Sequence, residues 1–324
     1  MLIVLPGALP SSPVSASLAA RLPSIAPTLV AWMAQSRREI RPFDIRRNGC
    51  TPYEGWLLEQ AGYAAQPGQP LGAALGPWRL SQALSALPEN PPADRPVWLV
   101  DLVHLALGSE GASLLPPSAL DPGREESAAL FDAIHPLLEG DGIEAHMLTP
   151  QTWQIQVPKA WNCQHLGTPD MLAGQRMDIL CPPRQLPQPW RRLLNEIQMT
   201  WHEHPVNLAR AERGQTALNS LWLYGGTRYQ AGNTPPQSVP TLLEDLLPAY
   251  TQGDWNTWIG QLEQLDHRLA PLSQELDAAP GQPLTLILTG SDRIVTLNRP
   301  ARHGWRRWLP KPKHDWITWW SLPA

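Results

Sequence analysis

Asn207 and Arg210 stand three residues apart, which makes them neighbours on one face of a helix, and Asn219 follows where an apolar run begins. A guanidinium donates two parallel hydrogen bonds to a carboxylate or phosphate, so an arginine flanked by two amides has the composition of a receptor for a small anion. The same three groups also suit a plainer task, tying a helix to a strand by satisfying backbone carbonyls. Asp101 and His104 form a second pair at the end of another apolar run. They supply an acid beside an imidazole only if the strand stops near Val103, because residues three apart on one strand face opposite sides. The C-terminal ends of strands in open α/β sheets are where ligands collect, which favours a site there.

The elements that must position these residues follow from hydrophobic period. Short apolar runs at 2–5, 97–103, 153–157, 220–224, 284–289 and 317–320 read as strands. Between them, Trp190, Leu193, Leu194, Ile197 and Trp201 keep a helical period, as do Trp255, Trp258, Leu262, Leu265 and Leu269. The alternation predicts an α/β fold with a central, mostly parallel sheet and helices on both faces, as one domain over 1–324. Pro205 suits the first position of a helix, so His204 becomes its N-cap, and Gly214 supplies the left-handed residue that ends it. Asp254 is placed to cap the helix carrying the second Trp stripe. Asp266 and His267 fall within that helix and read as its solvated face.

Composition excludes several classes. With 43% hydrophobic and 17% charged residues in 324, the chain can offset its conformational entropy by burial, so it is not disordered as a whole. Its net charge of −4 disfavours a nucleic-acid partner. Cys50, Cys163 and Cys181 are odd in number and lack C-x-x-C spacing, which predicts neither a disulfide framework nor a zinc site and fits a reducing compartment. The apolar start has no basic n-region, and Pro6 and Pro10 interrupt it far short of the ~20 residues of a membrane span. A cytoplasmic protein without a membrane segment is expected.

Asn207-x-x-Arg210-x-x-x-Gly214, then Asn219-Ser220-Leu221-Trp222-Leu223 and Gly225-Gly226, preceded by Asn195-Glu196-Ile197-Gln198-Met199 and His204-Pro205-Val206, resembles the signature of the RpfE-type bacterial regulatory proteins. Asp101-Leu102-Val103-His104-Leu105 resembles a second block of that family, with Leu102 where the family has Pro. A fainter likeness links residues 207–226 to archaeal-type cofactor-independent phosphoglycerate mutases, which implies a reduced alkaline-phosphatase-like architecture. The chemistry of that superfamily needs two divalent metals and a Ser or Thr nucleophile. Here Leu5-Pro6-Gly7-Ala8-Leu9 offers no carboxylate after the first strand, and no Asp-x-x-x-His occurs. The expectation is therefore a non-catalytic regulatory or ligand-sensing protein, without metal or cofactor, that keeps an anion pocket built from Asn207, Arg210, Asn219, Asp101 and His104. The alternative is a phosphomonoester mutase or hydrolase with unusual ligands, for which the sequence singles out no catalytic residue.

Residues 293–314 carry seven Lys or Arg and no Asp or Glu, a charge of +7 that leaves −11 for the rest. Arg302, Arg306 and Arg307 interleave with Trp305 and Trp308 there, a combination suited to an anionic protein partner through cation–π and stacking contacts. The competing reading is a closing segment whose indoles plug the core while the basic heads reach water.

Overall fold

The computed structural model describes residues 1–10, 12–84, 95–108, 111–181, 185–229, 239–278, 282–299 and 314–321. In chain order, the first stretch carries β1 (Leu2–Leu5), α1 (Ser12–Ile25), α2 (Pro27–Gln35) and β2 (Arg37–Pro42). The middle carries α3 (Ile45–Asn48), α4 (Pro52–Gln60), α5 (Leu75–Leu84), β3 (Pro96–Val103), β4 (Leu105–Gly108), β5 (Gly111–Leu114), α6 (Arg124–Gly140), β6 (Glu144–Met147), β7 (Thr152–Gln156), α7 (Pro169–Leu172), α8 (Met177–Leu180), α9 (Gln188–His202), α10 (Pro205–Glu212) and β8 (Ser220–Arg228). The last carries β9 (Thr241–Leu242), α11 (Leu247–Gln252), α12 (Trp255–Ala278), β10 (Leu284–Thr289), β11 (Arg293–Arg299) and α13 (Ile317–Trp320). The mixed α/β class is as expected.

The chain divides into two compact units, Met1–Asp44 with Pro236–Ala324, and Ile45–Pro235. The first unit holds the sheet β2-β11-β10-β1-β9, in which β1 runs parallel to β9 and β10 while β10, β11 and β2 alternate direction. Ile3 and Leu5 pack with Leu22 of α1, Trp32 of α2 and Trp258 and Leu265 of α12. The second unit holds the sheet β6-β7-β3-β8, antiparallel throughout, and a separate hairpin β4-β5. The expected mostly parallel sheet is thus corrected. Short links join β6 to β7 and β10 to β11, and a link of a few residues cannot make the crossover that parallel neighbours need.

In the second unit, alternate residues of β3 serve two faces. Val100 and Leu102 meet Leu130 and Ile134 of α6 and Trp190 and Ile197 of α9, while Asp101 turns toward α5 on the other side. Gly76 of α5 lets that helix approach closely, since a Cβ there would fall 2.6 Å from the Val97 carbonyl oxygen.

Two other expectations change. Residues 317–320 are helical: four apolar residues carry no decisive period, and here Trp316 and Trp320 meet edge to face one turn apart, ring centroids 6.0 Å, with Trp319 and Trp320 buried. Asp266 is not on a solvated face but is buried, where it accepts from the Thr28 and Leu29 amides at 3.1 and 2.8 Å; His267 is exposed as expected. Arg293 and Arg299 of the basic segment pair with Asp292 and Asp277. Arg302, Trp305, Arg306, Arg307 and Trp308 lie outside the described residues. Among the described residues no single helix is long and apolar enough to cross a membrane.

Candidate functional site

The local signals around residues 190–226 are realised. His204 caps α10, its Nδ1 accepting from the Val206 amide at 3.2 Å, with Pro205 at the first helical position. Gly214 takes φ +68° just past the helix end. The side chains themselves then turn inward. Asn207 donates from Nδ2 to the Trp201 and Leu218 carbonyls and accepts from the Leu218 amide, all at 2.8 Å. Arg210, 1% exposed, donates to the Thr216 carbonyl at 2.8 Å, to Glu126 Oε2 at 2.5 Å and to the Leu120 carbonyl. Asn219 extends the β3–β8 ladder: its amide nitrogen bonds to the Val103 carbonyl, and its side chain pairs with both the N–H and the C=O of Leu105. All three residues bond to groups of the protein itself. Their donors hold α10, the loop before β8 and the end of β3 together, and a buried guanidinium facing a carboxylate offers no opening to a second anion.

Asp101 and His104 are not brought together. Strand β3 does end at Val103, but His104 Nδ1 donates to the Ala217 carbonyl at 2.8 Å, whereas Asp101 faces the other side. Leu102 gives its N–H to the Gln151 carbonyl at 2.9 Å, a bond that the proline of the resembling block cannot make.

Asp101 instead belongs to a polar cluster that the sequence reading missed. Its Oδ1 accepts from Thr152 Oγ1 at 2.7 Å and Tyr224 Oη at 2.9 Å, and its Oδ2 from Arg79 Nη1 at 3.0 Å. Arg79 also donates to Tyr224 Oη at 2.7 Å, lies 5.2 Å above the Tyr224 ring, and reaches Asp170 at 3.4 Å and Glu54 at 4.0 Å. The register places these groups: Asp101 pairs across the sheet with Thr152 and Trp222, and Tyr224, two residues along β8, shares its face.

Glu54 enters through the N-terminus of α4. Its Oε2 accepts from the Thr51 amide, the Thr51 hydroxyl and, at 2.6 Å, the Thr168 hydroxyl, while its buried Oε1 has no hydrogen-bond partner. Burial, with Asp170 nearby, pushes the Glu54 carboxyl up to about 7 against the opposing pull of Arg79 and the two threonines. Burial likewise lowers His165 to about 4, and this imidazole bridges the Gly49 carbonyl and the Gly225 amide at 2.8 and 3.2 Å. For Arg79, the desolvation that would lower it is outweighed by Tyr224 and the surrounding carboxylates, so it stays charged. The Thr51-Pro52-Tyr53-Glu54 capping box was a legible signal for Glu54; nothing local marks Arg79 or Tyr224.

No family model matches the chain, and no curated protein matches it. Among solved structures the chain is similar to a cofactor-independent phosphoglycerate mutase from Thermoplasma acidophilum DSM 1728, at 10% identity and a TM-score of 0.34, covering 100% of this chain and 95% of that one. It is also similar to the PH0037 protein from Pyrococcus horikoshii, at 11% identity and a TM-score of 0.44, covering 98% and 91%.

A divalent metal does not fit the Asp101 cluster. Asp101 has both oxygens occupied, and the Arg79 guanidinium stands among the three carboxylates where a cation would be repelled. Among the described residues no three His, Cys, Asp or Glu groups are placed to hold a metal ion. What the cluster does physically is join α4, α5, α7, β3, β7 and β8 through charge-assisted hydrogen bonds around one arginine.

Proposed function

We propose that this chain is a non-catalytic regulatory, ligand-sensing protein of the RpfE type, on a reduced phosphoglycerate-mutase-like scaffold. The observation that supports this reading is the commitment of its polar residues. Asp101, His104, Asn207, Arg210 and Asn219, the candidate residues of the resembling blocks, each bond to backbone groups or to internal ion pairs. A catalytic acid, base or nucleophile must reach a substrate atom, and a buried group with its hydrogen-bonding capacity filled serves to position backbone instead. The family block then reads as a frame for a binding protein. The ligand enters elsewhere.

The test is a turnover assay. Purified full-length protein, supplied in turn with Mn²⁺, Mg²⁺ and Zn²⁺, is assayed for interconversion of phosphoglycerates and for release of phosphate from monoesters. No turnover is expected. Turnover that disappears in Asp101→Asn overturns the reading and establishes the alternative, a phosphomonoester mutase or hydrolase with unusual ligands.

A further inference from the structure

A cavity of about 590 Å³ opens at one end of the β6-β7-β3-β8 sheet, at the start of β3 and the end of β7. We infer that it binds a small, flat organic acid, an aryl phosphate or an aryl carboxylate; the inference rests on the ligand-sensing reading above and gives it a site. Its volume lies in the range of small-molecule pockets.

Charge selects the acid. Arg95 and Lys159, both exposed, line the cavity against a single carboxylate, Glu144. Arg95 Nη1 donates to Oε1 of Gln156, another lining residue, at 3.0 Å. A guanidinium and an ammonium among the lining groups favour a phosphate or carboxylate head over a neutral one.

The indole of Trp98 selects the flat body. Val97 pairs with Thr227 and Trp98 with Gly225, so Gly226 is the extra residue of a β-bulge, and its φ is +97°. A Cβ on Gly226 would fall 2.5 Å from Trp98 Cη2, so the missing side chain makes the space that the ring occupies. Bulges re-aim side chains next to sites, and this one seats a half-buried indole in the cavity wall, where an aromatic ligand can stack. Cys163, half-buried, lines the same cavity, while Cys50 and Cys181 are buried. Burial pushes the Cys163 thiol up to about 11, so iodoacetamide, which reacts with the thiolate, modifies it slowly at neutral pH and measurably in mildly alkaline buffer; its place in the lining makes it the reporter of occupancy.

The experiment uses the full chain with phenyl phosphate, benzoate and inorganic phosphate as probes in titration calorimetry. Phenyl phosphate or benzoate is expected to bind, the stronger of the two deciding between phosphate and carboxylate, and each is expected to bind more tightly than inorganic phosphate. The double variant Arg95→Gln with Lys159→Gln, at two exposed positions, is expected to keep the parent's melting temperature and to weaken binding about tenfold or more. Trp98→Leu is expected to remove the advantage of the aryl probes over inorganic phosphate, and bound ligand is expected to slow alkylation of Cys163 by iodoacetamide. The inference is overturned if neither aryl probe binds below about 10 mM, if the double variant binds as the parent does, or if alkylation of Cys163 ignores the ligand. Binding of phenyl phosphate followed by its hydrolysis leaves the cavity standing and removes the non-catalytic reading. Absence of both binding and turnover removes the cavity and leaves that reading intact.

Discussion

Glu54 and His165 sit within one unit and titrate against each other. The folded chain holds the Glu54 proton up to about pH 7, whereas an unfolded carboxyl releases it near 4.5, so this group makes stability fall as pH rises through that window. His165 does the reverse. Its imidazole stays neutral in the fold down to about pH 4 but protonates near 6.5 when unfolded, so stability falls as pH drops from 6.5 to 4. Between pH 4.5 and 6.5 the two slopes oppose, and the parent's stability profile is expected to be shallow there. Glu54→Gln removes one slope. Measured by urea unfolding at a series of pH values, the variant is expected to gain on the parent by on the order of 1–3 kcal/mol as pH rises from about 4.5 to 7.5. A difference between the two that does not change with pH would show that Glu54 does not carry a bound proton in the fold. Of the residues at this scale, Asp101 was legible from its block, but its partners were not. Arg79, Thr152 and Tyr224 are ordinary residues of a helix and two strands until the sheet register places them on one face.

At the scale of elements, the caps separate what is local from what is not. His204 with Pro205, and Asp254 before α12, act on amides within three residues, and both were readable because the geometry that a cap satisfies is built from neighbouring backbone. Helix α2 has Pro27 at its first position and no side-chain cap of its own. Its second and third amides are taken by Asp266, which belongs to α12 and is separated from Leu29 by 237 residues. A carboxylate at that end also meets the positive end of the helix dipole. Asp266→Ala is expected to lower stability by about 1–2 kcal/mol, read as a drop in the denaturant midpoint with an unchanged slope, while His267→Ala, on the exposed neighbour, leaves the midpoint in place. Equal effects of the two substitutions would mean that the long-range cap contributes nothing.

For the whole molecule, the unit Ile45–Pro235 is a continuous piece of chain, with its own antiparallel sheet and a core drawn from β3, β7, β8, α6 and α9. Expressed alone, residues 45–235 are expected to melt cooperatively and to retain near-ultraviolet dichroism from buried tryptophans such as Trp153, Trp190 and Trp201. A molten fragment without fixed aromatic signals would show that this core does not fold by itself. The sequence by itself determined the α/β class, five of the strands at 2–5, 97–103, 153–157, 220–224 and 284–289 to within a few residues at their ends, the amphipathic helices at 190–201 and 255–269, and the corner at His204. Period, proline and capping act over a few residues and leave their mark there. Only the tertiary structure decided that the sheets are mixed or antiparallel, that the apolar run 317–320 is a helix, that Asp266 is buried at the end of another helix, and that Asn207, Arg210 and Asn219 face inward. Strand direction, and the partners of a polar side chain, depend on groups tens to hundreds of residues away, and no local pattern records which of two available partners a carboxylate or guanidinium will meet once the chain has closed around it.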